Sequence, residues 1–97
     1  MTTLHIVRQS AFNTNDYAQC LQVLSDNDVI VFIDDGCYNL HHHLTNSINS
    51  KISIKLKVIG QHANARAIKI NEAIFTKIEM TDLVSLTFEN DRVITWQ

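Results

Sequence analysis

The chain has 97 residues, of which 45% are hydrophobic and 19% are charged, and its formal net charge is −2. This length predicts one domain over residues 1–97, because single domains commonly have roughly 100–150 residues. The longest apolar run, 29–33, is too short to span a membrane, and the first residues show no signal-peptide pattern. We therefore expect a cytoplasmic protein with no membrane contact. The small net charge implies no general attraction to nucleic acids.

The basic residues are concentrated in one part of the chain. Six of the eight lie between Lys51 and Lys77, where Glu72 is the only acidic residue. Such a cluster indicates either a solvated face or a docking surface for an acidic partner or RNA. The two cysteines, Cys20 and Cys37, show neither C-x-x-C nor zinc-type spacing. They predict two free thiols in a reducing compartment, with no metal ion and no cofactor.

The hydrophobic periodicity predicts strands that alternate with helices. Strands are expected at 4–7, 29–33, 52–58, 75–79 and 93–96, and helices at 16–24, 38–47, 63–67 and 81–87. The run 29–33 is β-branched and aromatic throughout, which is typical of a central strand buried on both faces. Asp16 and Thr81 are expected to cap the first and last helices. The alternation predicts an α/β fold, a three-layer domain whose mainly parallel sheet of about five strands has helices on both faces.

Two strand ends contain candidate site residues, because ligands of open α/β sheets bind at the carboxyl ends of the strands. Arg8-Gln9-Ser10 follows the first strand, and Asp34-Asp35-Gly36-Cys37 follows the second. Adjacent strand residues point to opposite faces, so the two aspartates are poorly placed for acid–base catalysis and better placed to cap the next helix. A helix start favours a reactive thiolate at Cys37, but the neighbouring carboxylates oppose it, so a structural thiol is preferred.

Three further signals favour structural interpretations. Cys20 lies on the apolar stripe of the first helix, where cysteine commonly acts as a small hydrophobic residue. The side chains of His41-His42-His43 would point in different directions on a helix, and they lack the i, i+4 spacing of helical zinc pairs. The chain has only two glycines and no P-loop, G-x-G-x-x-G or G-x-S-x-G motif, which disfavours the common kinds of nucleotide binding.

Four stretches, taken in order and at matching spacing, resemble the TusB/DsrH family of sulfur-relay proteins. They are the opening segment 4–10, Cys20-Leu21 with the turn 33–38, the segment 65–67, and the segment 81–87 with Trp96. At four positions the chain differs from the residues that are common in the family. Proline, valine, glycine and phenylalanine are replaced by Ala11, Cys37, Ala67 and Leu83, respectively. The replacement of glycine by Ala67 predicts a different shape for the loop at Arg66.

The resemblance implies a cytoplasmic sulfur-relay subunit with a DsrE/F/H-like fold. TusB-type chains join TusC-like and TusD-like subunits in a heterohexamer that passes persulfide sulfur towards 2-thiouridine at the tRNA wobble position. Their link to tRNA is indirect, through downstream sulfur carriers. The principal sulfur-accepting cysteine belongs to the D-type subunit, so this chain is expected to be mainly structural, and whether it is an enzyme stays open.

The resemblance also assigns roles to single residues. Cys20 matches a cysteine of DsrH-type members and is a candidate auxiliary persulfide site. The residues expected to shape an interface or a turn are Arg8, Ser10, Asp35, Gly36 and Arg66.

Two other functions stay open. One is a DsrH-type subunit of a sulfur-oxidation relay in which Cys20 is active. The other is a stand-alone module that binds a metal or small molecule through His41 to His43 and Asp35.

Overall fold

The computed structural model describes residues 2–46, 48 and 53–97. In these residues five strands form one all-parallel sheet in the order β4-β3-β2-β1-β5. The strands are β1 Thr3–Val7, β2 Val29–Phe32, β3 Lys55–Ile59, β4 Thr76–Ile78 and β5 Arg92–Trp96. The helical elements are α1 Asp16–Gln22, a 3₁₀ helix Asp34–His41, α2 His43–Asn46, α3 Gly60–Ala65 and α4 Met80–Glu89. The predicted α/β class is confirmed.

The sheet separates two apolar clusters. The first is formed with α1, the 3₁₀ helix and α3, which contribute Tyr17, Leu40 and Ala63. The second is formed with α4, through Leu83 and the neighbouring Leu86. The chain passes from β1 to β4 in one direction and then returns beyond β1 to β5. Because parallel crossovers are right-handed, this reversal places α4 on the opposite face from the other helices.

The central strand β2 matches the prediction from its continuous apolar run. All four of its residues are buried, and it pairs in parallel with β1 on one side and β3 on the other. Its side chains alternate between the two clusters, with Ile30 and Phe32 in the first and Val29 and Val31 in the second. Burial of each such side chain contributes about 1.5–3 kcal/mol, which explains why no polar residue interrupts this strand.

The predicted helix 38–47 is wrong. The described part of this region is a 3₁₀ helix that ends at His41 and a separate short helix, α2, while residue 47 lies outside the described residues. The break occurs at His42, whose backbone is extended and whose Nδ1 accepts the N–H of Leu44 at 3.1 Å. Asn39 explains the tighter first part, since its buried amide bonds the carbonyl oxygen of Gln9 and the N–H of Ala11 instead of facing solvent.

The helix caps differ from those expected. Asn15, not Asp16, precedes the first turn of α1, and the helix ends at Gln22, before the last residue of the predicted stripe. The cap of α4 is Glu79, not Thr81, and it forms a capping box with Asp82, whose carboxylate accepts the N–H of Glu79 at 2.9 Å. Polar residues lie on both sides of each helix start, so the local sequence did not identify which residue is the cap.

The strand predicted at 52–58 begins later than expected. Lys55 is the first residue of β3, Ile52 lies outside the described residues, and the strand continues to Ile59. Lys55 is exposed and Leu56 is buried, which agrees with the predicted polar face. The remaining strands and α3 were predicted to within a few residues.

A buried carboxylate ties the amino-terminal part of the sheet together. Asp28 accepts the backbone N–H groups of Thr3 and Ser25 at 3.0 and 3.1 Å and lies 3.0 Å from Nε2 of His5. Trp96 donates its indole N–H to Nδ1 of His5 at 3.1 Å. Indole is a donor only, so Nε2 carries the hydrogen that His5 gives to Asp28. Burial tends to raise the pKa of Asp28, but these hydrogen bonds outweigh it and lower the pKa below its ordinary value.

Replacing Asp28 with asparagine tests this network. We expect Asp28→Asn to lower the free energy of unfolding at neutral pH by about 1.5–3 kcal/mol, because hydrogen bonds to a buried charge are lost. A lowered native pKa means that the contribution is present above the unfolded-state pKa of about 3.9 and is lost as the pH falls through the native pKa. The difference between wild type and variant, measured by urea unfolding, should therefore shrink below about pH 4. The exposed Asp26→Asn is the control, and an equal effect of both variants would contradict the network.

Candidate functional site

The carboxyl ends of β1, β2 and β3 bring five ionisable side chains together. Arg8 follows β1, Asp34 and Asp35 follow β2, and His62 and Arg66 belong to α3 and its C-terminal end, after β3. We call these five residues the polar edge. The two strand ends singled out in the sequence thus meet, because β1 and β2 are neighbours in the sheet.

One half of the polar edge is centred on Asp34. Arg8 donates from Nε to its Oδ2 at 3.2 Å and from a terminal guanidinium nitrogen to Gln97 at 2.8 Å. The backbone N–H of Asp34 donates to Nδ1 of His62 at 3.1 Å. Asp34 has a φ of 49°, in the left-handed region that aspartate tolerates better than most residues, at a cost of about 1–2 kcal/mol. Its side-chain and backbone hydrogen bonds hold this conformation in place.

The other half is the pair of Arg66 and Asp35. Arg66 donates from Nε to Asp35 at 3.0 Å and from a terminal nitrogen to the carbonyl oxygen of His62 at 3.2 Å. The hydrogen bond to Asp35 raises the pKa of Arg66, so the guanidinium stays charged. Asp35 is more than half exposed, and such surface pairs contribute at most about 1 kcal/mol. The pair therefore orients the loop after α3 more than it stabilises the fold.

Ala67 completes that loop. Its φ of 54° lies in the left-handed region that favours glycine. The N–H of Ala67 bonds the carbonyl oxygen of Asn64, and that of Ile68 bonds the carbonyl oxygen of Ala63. These two bonds are a Schellman motif. The loop therefore closes in a regular way, with alanine in the left-handed conformation that glycine adopts without strain. The predicted difference from the loop of the family stays a prediction.

Gly36 brings the 3₁₀ helix directly onto the end of β1. A Cβ atom at this position would lie 2.1 Å from the carbonyl oxygen of Val7, which already accepts the N–H of Ile33 at 3.0 Å. Only glycine permits this approach between two backbones. Ser10 shapes the neighbouring turn, since its buried side chain accepts the N–H of Phe12 at 3.2 Å. Ser10 thus lies in the turn after β1 and Gly36 in the 3₁₀ helix, and their predicted role in an interface or a turn stays a prediction.

Cys37 lies beneath the polar edge and is fully buried. Its Sγ is 3.8 Å from the carbonyl oxygen of Phe32. Burial raises the pKa of this thiol to about 11; Arg66 lowers it, and the two aspartates of the polar edge raise it. The arrangement favours the protonated, unreactive thiol rather than the thiolate of a helix N-terminus.

Cys20 is not part of the polar edge. It lies near the end of α1, which runs back from the carboxyl end of β1 towards the start of β2, and it is fully buried in the first apolar cluster. Burial, followed by the negative charge of Asp28, raises the pKa of Cys20 to about 12. A thiolate there is disfavoured twice, by low dielectric and by a like charge.

Sequence reasoning missed His62, Asn39 and Gln97. His62 follows the end of β3 by three residues, so the rule that located Arg8 and Asp34 could have found it. Nothing local identified Asn39, because its partners lie 28 and 30 residues away in the β1–α1 turn. Gln97 reaches Arg8 across 89 residues.

The histidine run does not form a metal site in the described part of the chain. His42 is buried edge-on against Phe12, with ring centroids 4.6 Å apart, whereas His41 and His43 are exposed. Among residues 2–46, 48 and 53–97, no three histidine, cysteine or acidic side chains are grouped to hold a metal ion. No helix in these residues has the length and apolar character needed to cross a membrane.

The class defined by this geometry is a parallel α/β domain with a charged carboxyl edge and two buried thiols. Residues 9–93 match the family model of DsrH-like proteins, and the chain belongs to this family. The resemblance recognised from the sequence is thereby confirmed. DsrH-like proteins act in multi-subunit sulfur-relay complexes. A search of curated proteins finds no match.

The two glycines offer a matched test of the polar edge. Gly36→Ala is expected to destabilise the protein by about 1–3 kcal/mol, because neither backbone in contact can move freely. Gly60→Ala is the control, since its Cβ would meet only the flexible side chain of Lys77, at 2.6 Å. Thermal unfolding of both variants measures the difference. Equal stability of the two would show that the close approach at Gly36 carries no constraint.

The thiols should be unreactive in the folded chain. At a given pH near neutrality, a pKa of about 12 against the ordinary 9.0 leaves Cys20 with about a thousandth of the usual thiolate. We expect iodoacetamide to label Cys20 and Cys37 slowly in native protein and rapidly in urea, with Cys20→Ser and Cys37→Ser used to assign each rate. Since both native pKa values are raised, stability should fall as the pH rises from about 9 towards 11. Rapid native labelling of either thiol would contradict the structure.

Proposed function

We propose that this chain is the B-type subunit of a cytoplasmic sulfur-relay complex that supplies persulfide sulfur for 2-thiouridine formation at the tRNA wobble position. Its contribution is mainly structural. Membership of the DsrH-like family supports the relay assignment. The observation that carries the structural role is the complete burial of both sulfur atoms.

The chemistry of sulfur relay explains why burial decides the role. An acceptor thiolate attacks the outer sulfur of a donor persulfide, a new S–S bond forms on the acceptor, and the donor thiolate leaves with the bonding pair. The acceptor must be ionised and accessible. Cys20 and Cys37 meet neither condition in the folded chain, since both are buried and both have a raised pKa. The sulfur-accepting cysteine is therefore assigned to another subunit.

The proposed partners are TusC-like and TusD-like subunits in a heterohexamer. Three residues of the polar edge, Arg8, Asp35 and Arg66, have solvent-accessible charged groups on adjacent loops. Arg8 is paired with Asp34 and Arg66 with Asp35, so the edge is nearly neutral and can be buried against a partner without an isolated charge. We propose that these three residues contact a neighbouring subunit, while Ser10 shapes the turn after β1 and Gly36 holds the 3₁₀ helix against the end of that strand.

The auxiliary persulfide role of Cys20 stays a prediction. The thiol would have to become accessible, which requires α1 to move away from the first apolar cluster when the complex assembles. The loss of contact between Tyr17, Cys20 and the sheet would have to be offset by contacts with the partner. A persulfide found on Cys20 only in the assembled complex would support such a movement.

The experiment is co-expression of this chain with the products of adjacent genes that resemble C-type and D-type subunits. We expect a stable complex in which Cys20→Ser, Cys37→Ser and the double variant retain most of the tRNA thiolation, measured by mass spectrometry of digested tRNA. Replacement of the D-type cysteine is the matched control and should abolish thiolation. The physical reason is that a buried neutral thiol cannot attack the donor persulfide.

Two results would contradict the proposal. Loss of thiolation in Cys20→Ser as complete as in the D-type control, with added sulfur on Cys20 after exposure to a persulfide donor, would make this chain an active relay. Failure of the wild-type chain to co-purify with either subunit would remove the structural role. If the gene of this chain lies beside a sulfur-oxidation operon and the complex does not thiolate tRNA, the assembly would belong to the sulfur-oxidation pathway.

A further inference from the structure

Helix α4 is apolar on two sides. Its inner side contributes the buried Leu83 and the half-buried Leu86 to the second cluster. Its outer side exposes three large residues at i, i+4 and i+8 spacing: Met80 at 46%, Val84 at 55% and Phe88 at 85%. This spacing places them along one ridge of the helix. More large apolar side chains of α4 thus face outwards than inwards.

The edge strand β5 adds an exposed apolar side chain to the same layer. Val93 lies directly opposite Leu4 of β1, so both side chains point to the α4 face of the sheet. Leu4 is fully buried, whereas Val93 is 43% exposed. Half of the eight exposed large hydrophobic side chains in the described residues therefore lie on the α4 layer. We call Met80, Val84, Phe88 and Val93 the α4 ridge.

Such a ridge indicates a buried surface. A surface helix normally has one apolar stripe and a polar opposite face, and a helix that is apolar on both sides is normally covered on both. The inner apolar stripe of α4 already packs against the sheet. Exposed apolar patches on otherwise well-packed domains mark protein interfaces. The opposite layer is formed by several helical elements, whereas α4 is the only described helix on this face.

The charges around the ridge specify the partner. Glu79, Asp82, Glu89 and Asp91 are exposed, and the segment 79–91 contains neither lysine nor arginine. Glu79 and Asp82 form the capping box of α4, and Asp91 accepts the backbone N–H of Thr2. Lys55 and Lys57 of β3 lie opposite Val29 and Val31, so they place positive charge on the β3 side of the same face. The acidic residues at the two ends of α4 favour a partner surface that is apolar at its centre and has lysine or arginine where it meets those ends.

We propose that the α4 ridge is the docking surface for a sister subunit of the relay assembly, one whose matching face is apolar at its centre and basic where it meets the ends of α4. This inference rests on the proposed function and deepens it, because it names the face through which the chain is held. The polar edge lies at the carboxyl ends of β1 to β3, so the ridge is a separate contact of the α4 layer.

Two valines provide a matched test. Val84 on the ridge and Val23, just after α1 on the other layer, are 55% and 53% exposed. The chain is co-expressed with the C-type and D-type subunits, and dissociation of the complex is measured by native mass spectrometry and interferometry. Val84→Glu and Phe88→Glu should weaken association by about tenfold or more, and Val23→Glu should leave it unchanged. Thermal unfolding of the isolated variants checks that each one folds.

A charge reversal tests the basic border. Glu89→Lys should weaken association by a few-fold, mainly through a slower association rate, and the effect should diminish at high salt. Normal association of Val84→Glu, Phe88→Glu and Glu89→Lys would overturn the ridge proposal and leave the proposed function intact. A wild-type homodimer that Val84→Glu converts to monomer would assign the ridge to a second copy of this chain instead. Absence of any wild-type complex would overturn both proposals together.

Discussion

The close approach of Gly36 to the carbonyl oxygen of Val7 is the constraint on which the polar edge depends. It brings the 3₁₀ helix against the end of β1, where a side chain of any size would separate the two backbones. From this position Asp34 reaches Arg8 and Asp35 reaches Arg66. The same contact turns Cys37 into the interior. One glycine thus permits the backbone contact beside which the paired charges, the left-handed Asp34 and a buried thiol all lie.

The resulting chain has a paired charged edge, an exposed apolar ridge on α4 and two buried thiols. The charges of the polar edge neutralise one another in pairs, and both sulfur atoms lie in the apolar core. A thiol in that environment is held protonated, so sulfur transfer requires either another subunit or a rearrangement of α1. The exposed apolar side chains are concentrated on the opposite layer, on α4 and β5. Chemistry and assembly would therefore be divided among the chains of a relay complex.

Strand predictions succeeded where burial was uniform. The run 29–33 has no polar residue, and only a position in the middle of a parallel sheet buries both sides of a strand. Helix predictions failed where a side chain competes with the backbone. Asn39 lies in a sequence with helical spacing, but its amide bonds the β1–α1 turn, and His42 ends one helix by capping the next. Hydrophobic periodicity depends only on the positions of apolar residues along the chain, so it contains no information about these distant polar partners.

By itself, the sequence determined the α/β class, the central position of β2 and the family, because these depend on alternation and on ordered short motifs. It also identified the two strand ends that meet, since parallel strands bring their carboxyl ends to one edge. Only the tertiary structure decided that Cys20 and Cys37 are both inaccessible, that His62 joins the polar edge, and that α4 has a second apolar side facing outwards. Those properties depend on which elements pack together, and burial belongs to the packed molecule rather than to any local stretch of residues.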